Sequence, residues 1–173
     1  NKCEYYAVEE HKGIKVHIIQ LHYSDTPKNP LIAFKKDSRN YLFDILESIN
    51  KTDKDIIVVL VHTNEWIDVL NKNNRAKLLD KADLLIDANT HSYKKYDLKD
   101  ELNKNAAIVL NSGAVGNSGD YSGFIQVHVL KSPLRMILQY QLTKNNTRKL
   151  QEKGFAYEKI IGGKTKKVDW DKM

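Results

Sequence analysis

The sequence predicts a layered α/β domain, with helices set between buried strands, that ends in an antiparallel β-hairpin region. Three observations predict it. Ile14–Leu21 and Asp55–Val61 are apolar, β-branched runs of strand length, as expected for strands covered on both faces. Between them Tyr41, Leu42, Ile45, Leu46 and Ile49 recur at helical spacing. Toward the C-terminus Gly123–Leu130 and Leu134–Leu142 alternate apolar and polar residues across Lys131-Ser132-Pro133, the pattern of a hairpin.

The elements follow in order. Tyr5–Glu9 alternates weakly and reads as an edge strand, with a turn at His11-Lys12-Gly13 before the Ile14–Leu21 strand. His22–Asn40 holds Pro27 and Pro30 and reads as a loop. Ser38 or Asn40 is placed to cap the helix that runs to Asn50. After Asp55–Val61, a helix over Glu65–Lys81 is expected to loosen around Asn71–Asn74. Asp83–Ile86 and Ala106–Leu110 are two more short buried strands. The polar stretch Ser92–Asn105 between them reads as loop, with a helical turn near Leu98–Leu102. In the tail, a short helix over Thr147–Lys153 and a strand over Phe155–Ile161 are expected. We divide the chain into an α/β domain, residues 1–143, and a basic tail, residues 144–173.

Bulk properties narrow the function. The 173 residues are 41% hydrophobic and 29% charged, the balance of a globular chain with room for a sizeable core. No apolar run approaches the roughly 20 residues of a membrane helix. Asn1–Glu10 is polar and lacks the apolar stretch of a secretory signal. The one cysteine, Cys3, excludes an internal disulfide framework and a cysteine-rich zinc site. Asn50-Lys51-Thr52 and Asn145-Asn146-Thr147 fit the N-glycosylation pattern, and the compartment stays open. Most of the net charge of +6 sits between Lys144 and Met173, where nine basic residues face four acidic ones. No nucleic-acid-binding motif accompanies that charge, so it reads as a solvated end.

In open α/β sheets, ligands bind beyond the carboxyl ends of the strands. His62 follows the strand Asp55–Val61, and Asn89 and His91 follow Asp83–Ile86. Imidazole is the commonest nitrogen ligand for zinc, iron and manganese, and an amide oxygen is a weaker neutral one. A strand end also holds such groups on rigid backbone. His62, Asn89 and His91 are therefore the candidate metal ligands. Other features carry less. His22 follows a strand end and could line the same site. His17 and His128 lie inside strands and read as satisfied sheet residues. Tyr5, Tyr6, Tyr93, Tyr96 and Tyr121 read as packing residues. Gly113-x-x-Gly116-x-x-Gly119 reads as a turn. Gly162-Gly163-Lys164-Thr165 lacks the first glycine of a phosphate loop.

From Tyr5 to about Leu142 the chain resembles the C-terminal half of a calcineurin-like metallophosphoesterase domain of the 5′-nucleotidase type. Four segments carry the resemblance in order. Gly13-Ile14-Lys15-Val16-His17-Ile18-Ile19-Gln20-Leu21 matches the first strand. Val58-Val59-Leu60-Val61-His62 matches a strand ending in a metal-binding histidine. Asp83-Leu84-Leu85-Ile86-Asp87-Ala88-Asn89-Thr90-His91 matches a strand followed by Gly-His-[Ser/Thr]-[His/Gln]. Ile108 to Gly116 matches a strand and small-residue turn.

The resemblance implies a metal-dependent phosphoester hydrolase, nucleotidase-like, using divalent ions such as Mn, Zn or Fe. His62 would ligate one ion and His91 another, with a phosphoester or nucleotide as substrate. It is also compatible with an extracytoplasmic location. Asn89 stands where the family has a histidine, and Ala88 where it has a glycine. The family's earlier acidic motifs, which bridge the two metals, have no counterpart in this sequence, and two dications without a bridging carboxylate repel each other. The expectation is therefore part of a hydrolase whose N-terminal half supplies those acids. The alternative is a pseudo-phosphoesterase acting as a binding or structural module.

Overall fold

The computed structural model describes residues 4–21, 36–62, 67, 70–87, 93–99, 105–112, 121–144, 150–161 and 165–168. Its strands are β1 (Tyr5–His11), β2 (Ile14–Gln20), β3 (Asp55–Leu60), β4 (Leu84–Asp87), β5 (Tyr93–Lys99), β6 (Asn105–Ser112), β7 (Tyr121–Leu130), β8 (Arg135–Lys144), β9 (Leu150–Ile160) and β10 (Thr165–Val168). Among the described residues two helices, α1 (Lys36–Ser48) and α2 (Lys72–Lys81), precede β3 and β4.

The strands form two sheets. The first has six strands in the order β1-β2-β3-β4-β6-β5. Its four inner strands are parallel, and β1 and β5 run antiparallel to them at the two edges. The second is an antiparallel sheet in the order β10-β9-β8-β7. The expected hairpin is therefore the β7–β8 half of a four-stranded sheet.

Strand alternation explains the layering. On one face of the first sheet Ile19, Leu21, Ile57, Val59, Val61 and Leu85 pack with Leu42, Phe43 and Leu46 of α1 and Leu78 and Leu79 of α2. On the other face Ile14, Val16, Ile56, Val58, Leu84 and Ile86 meet Ile125, Met136 and Leu138 of the second sheet. Helices, mixed sheet and antiparallel sheet thus form three layers, with a core on each side of the middle one. This is the layered α/β class that the sequence predicts.

Several local expectations are corrected. α1 begins at Lys36, so Ser38 lies inside the helix rather than capping it. The buried Ser38 Oγ donates to Glu4 Oε1 at 2.5 Å, tying the helix to the start of β1. The break expected around Asn71–Asn74 falls at Asn71, whose extended backbone precedes α2. Asn71 is the N-cap of α2, and its side chain accepts from the Asn74 N–H at 2.8 Å. Residues 93–99 form a strand, not a loop. Its Tyr-Lys-Lys-Tyr-Asp-Leu-Lys sequence lacks an apolar run, which suits a charged edge strand. Leu150–Lys153 opens β9 rather than forming a helix, because β9 pairs with β8. The Lys159 side chain on β9 is wholly buried.

The turn after β1 is Lys12–Gly13, with φ of 51° and 75°. Two successive left-handed residues make the tight hairpin that matches strand twist.

Candidate functional site

The carboxyl ends of the parallel strands finish at one level. Leu60 is opposite Ile86, and Ile86 is opposite Leu110. The ladder extends one residue further. The Leu21 N–H donates to Leu60 O at 2.9 Å, and the Val61 N–H donates to Ile86 O at 3.0 Å. His62 is the next residue after Val61, at an exposed bend. Asp87, the last residue of β4, is buried and lies opposite Asn111 of β6. Three neighbouring strands therefore bring an imidazole, a carboxylate and an amide residue to the same edge. Asn89 and His91 follow β4 but lie outside the described residues, as do His22 and the segment 113–120.

Among the described residues no group of three or more His, Cys, Asp or Glu side chains is arranged to hold an ion. His62 is the one proposed ligand the structure describes. Two imidazoles and an amide, counted with Asn89 and His91, are a donor set for one borderline cation. They lack the carboxylate that a two-metal centre needs between its charges.

The opposite edge holds a hydrogen-bonded chain that sequence reading missed. The Tyr6 hydroxyl lies 2.9 Å from His17 Nδ1, and His17 Nε2 lies 2.9 Å from Asp55 Oδ1. Thr52 donates to Asp55 Oδ2 twice, from its backbone N–H at 2.7 Å and its hydroxyl at 2.5 Å. Burial works against the Asp55 charge, but the hydrogen bonds from Thr52 and His17 outweigh it and hold its pKa at about 2. An ionised carboxylate only accepts, so His17 Nε2 carries the proton and Nδ1 accepts from Tyr6. Burial, then the nearby Asp55 charge, raises the Tyr6 pKa and keeps the phenol a donor. Both ring nitrogens of His17 are used within the fold, so this histidine offers no lone pair to a metal. The expectation that His17 is a satisfied sheet residue matches this arrangement.

A second buried carboxylate stands before β4. Asp83 Oδ2 accepts the Ile57 N–H at 2.9 Å, and Asp83 Oδ1 receives Lys51 Nζ at 2.9 Å. Burial raises its pKa, and the charges of Lys51 and Lys159 pull against that rise. Lys51 also donates to Lys81 O at 2.7 Å, so it ties the loop before β3 to the end of α2.

Comparison with known protein families finds no match, and neither does comparison with curated protein sequences. The solved structures to which this chain is similar include two at low identity. One is the sulfate thiohydrolase SoxB of Thermus thermophilus in complex with glycerol, at 12% identity and a TM-score of 0.49. The other is a phosphatase of Mycoplasma pneumoniae, at 13% identity and a TM-score of 0.44. The matches cover 84% and 94% of this chain, which spans 26% and 56% of the length of those two.

Proposed function

We propose that this chain is part of a metal-dependent phosphoester hydrolase, nucleotidase-like, with His62, Asn89 and His91 as its share of the metal ligands. The supporting observation is the placement of His62. It is the first residue past the hydrogen-bonded end of β3, exposed, on the edge where β2, β4 and β6 also end. That is where an open parallel sheet binds ligands. The four ordered sequence segments favour a phosphoester over other substrates.

In this reading His62 and His91 hold the ion through neutral imidazole nitrogens, and Asn89 adds an amide oxygen. A bound divalent ion would acidify a water and neutralise phosphate oxygens. The paired backbone at the end of β3 fixes the position from which His62 approaches. Carboxylates to complete a two-metal centre would come from an N-terminal half of the same protein.

A second reading, a pseudo-phosphoesterase that binds without turnover, is favoured by one observation. Asn89 replaces an imidazole with a weaker donor for zinc-like ions.

Manganese- or zinc-dependent hydrolysis of an aryl phosphate by the full protein, compared with His62→Ala, tests both readings. The hydrolase reading expects metal-dependent turnover that falls in the variant. Equal rates would remove His62 from the site. Metal binding that needs His62, without turnover, would favour the binding module.

A further inference from the structure

Three turns converge at the amino-terminal edge of the mixed sheet. They are Lys12–Gly13 between β1 and β2, Asp53–Lys54 ahead of β3, and Lys131–Leu134 between β7 and β8. Together with Ile14 they line a cleft of about 370 Å³. Lys131 Nζ donates to Lys12 O, joining a turn of one sheet to a turn of the other across 119 residues of sequence. Its described lining residues carry three ammonium groups, on Lys12, Lys54 and Lys131, and one carboxylate, on Asp53. All four residues are exposed, and none makes an ion pair with another described residue. Glu9, Glu10 and His11 line a neighbouring groove whose wall also includes Lys12, Ile14 and Lys131. Asp55, nearby, is held by His17 and Thr52.

We propose that this cleft binds a phosphate dianion, free or as the end of a monoester, between Lys12, Lys54 and Lys131. Among the described lining residues three cations face one anion, an excess of two positive charges that suits a dianion better than a monoanion. Ammonium groups act as compact point charges that a phosphate can accept from several directions. The turns bring these charges from three separate segments, so ligand binding relieves repulsion that the fold has already imposed. The cleft lies at the opposite end of β3 from His62. Eight residue steps at strand rise, from Lys54 to His62, separate them by roughly 26 Å. The inference is therefore independent of the metal reading.

The test is a titration of the full chain with sodium phosphate and, separately, phenyl phosphate. It is followed by amide NMR at constant ionic strength and at a pH where phosphate is dianionic. Saturable shifts confined to Lys12–Ile14, Asp53–Lys54 and Lys131–Leu134 are expected. Saturation by inorganic phosphate identifies the free ion as sufficient, and saturation by the phenyl ester alone identifies the monoester; either supports the site. Lys12→Ala, Lys54→Ala and Lys131→Ala should each weaken binding by roughly fivefold to thirtyfold, the range for one to two unit charges at contact distance in water. Asp53→Asn should strengthen it by a similar factor. His62→Ala should leave it unchanged. Shifts that grow linearly without saturating mean an adventitious ion only and overturn the proposal. So does binding that survives the triple lysine substitution, or that His62→Ala abolishes.

Discussion

His17 donates from Nε2 to Asp55 Oδ1 at 2.9 Å, and this bond joins β2 to β3 from within the core. Its partner atoms are 7% and 5% exposed residues, so water scarcely competes for it. The acid side of the stability curve follows. The Asp55 carboxyl falls from 3.8 to about 2 on folding. Its folded pKa lies below the unfolded one, so the contribution is present above pH 3.8 and is lost as pH falls through about 2. Urea midpoints between pH 5 and pH 2 should drop for the native chain (the pH range follows from that linkage, about two units on folding). Asp55→Asn should give a lower midpoint at pH 5 and a flatter decline. A variant that titrates as steeply as the native chain would remove Asp55 from this role.

Lys51 and Asp83 form the other buried attachment. Removing one partner of a buried pair leaves the other charge uncompensated, at a cost of about 3–5 kcal/mol. Lys51→Ala should therefore destabilise the fold by about that much in urea unfolding at neutral pH. The direction of the Asp83 shift also has a consequence. Its folded pKa is raised above 3.8, so its contribution declines as pH rises from the unfolded value through the folded one. Asp83→Asn should remove that decline from the pH dependence of the unfolding midpoint.

The N-cap of α2 offers a milder perturbation. Asn71→Ala removes the acceptor of the Asn74 N–H and should cost about 1 kcal/mol. Asn71→Asp should restore most of it, since a carboxylate accepts the same bond and suits the positive end of the helix. Thermal unfolding of the two variants in parallel separates loss of the cap from loss of helix.

Metal dependence is the prediction that bears on function. His62 is exposed, so His62→Ala should fold with a midpoint within about 0.5 kcal/mol of the native chain. Manganese or zinc affinity should fall in the same variant, read by calorimetry after chelator treatment. Unchanged affinity would place the ion elsewhere.

How far the sequence carried these findings depended on whether the deciding contact was local. β2 and β3 are legible because Ile14–Gln20 and Asp55–Leu60 are strand-length and rich in β-branched residues; β3 is buried or half-buried throughout, while β2 exposes only Lys15 and Gln20. His62 stood out because it directly follows such a run. β5 and β9 were less legible, since Tyr93–Lys99 and Leu150–Ile160 owe their conformation to pairing with β6 and β8 rather than to apolar periodicity. The Tyr6–His17–Asp55 chain was hidden for another reason. Its members are 11 and 38 residues apart and meet only once β1, β2 and β3 are paired in register. Asn89 and His91 were read from sequence and lie outside the described residues, so the site rests on His62 and the strand ends beside it.

The two-sided core has a consequence for biogenesis. Ile14, Val16, Ile56, Val58, Leu84 and Ile86 leave the ribosome well before Ile125, Met136 and Leu138, which cover them. Through that interval the nascent chain presents a broad oily surface on an otherwise assembled sheet, the kind of exposure that recruits chaperones or invites aggregation. Slowing synthesis after residue 112 should lengthen that interval and lower the soluble yield.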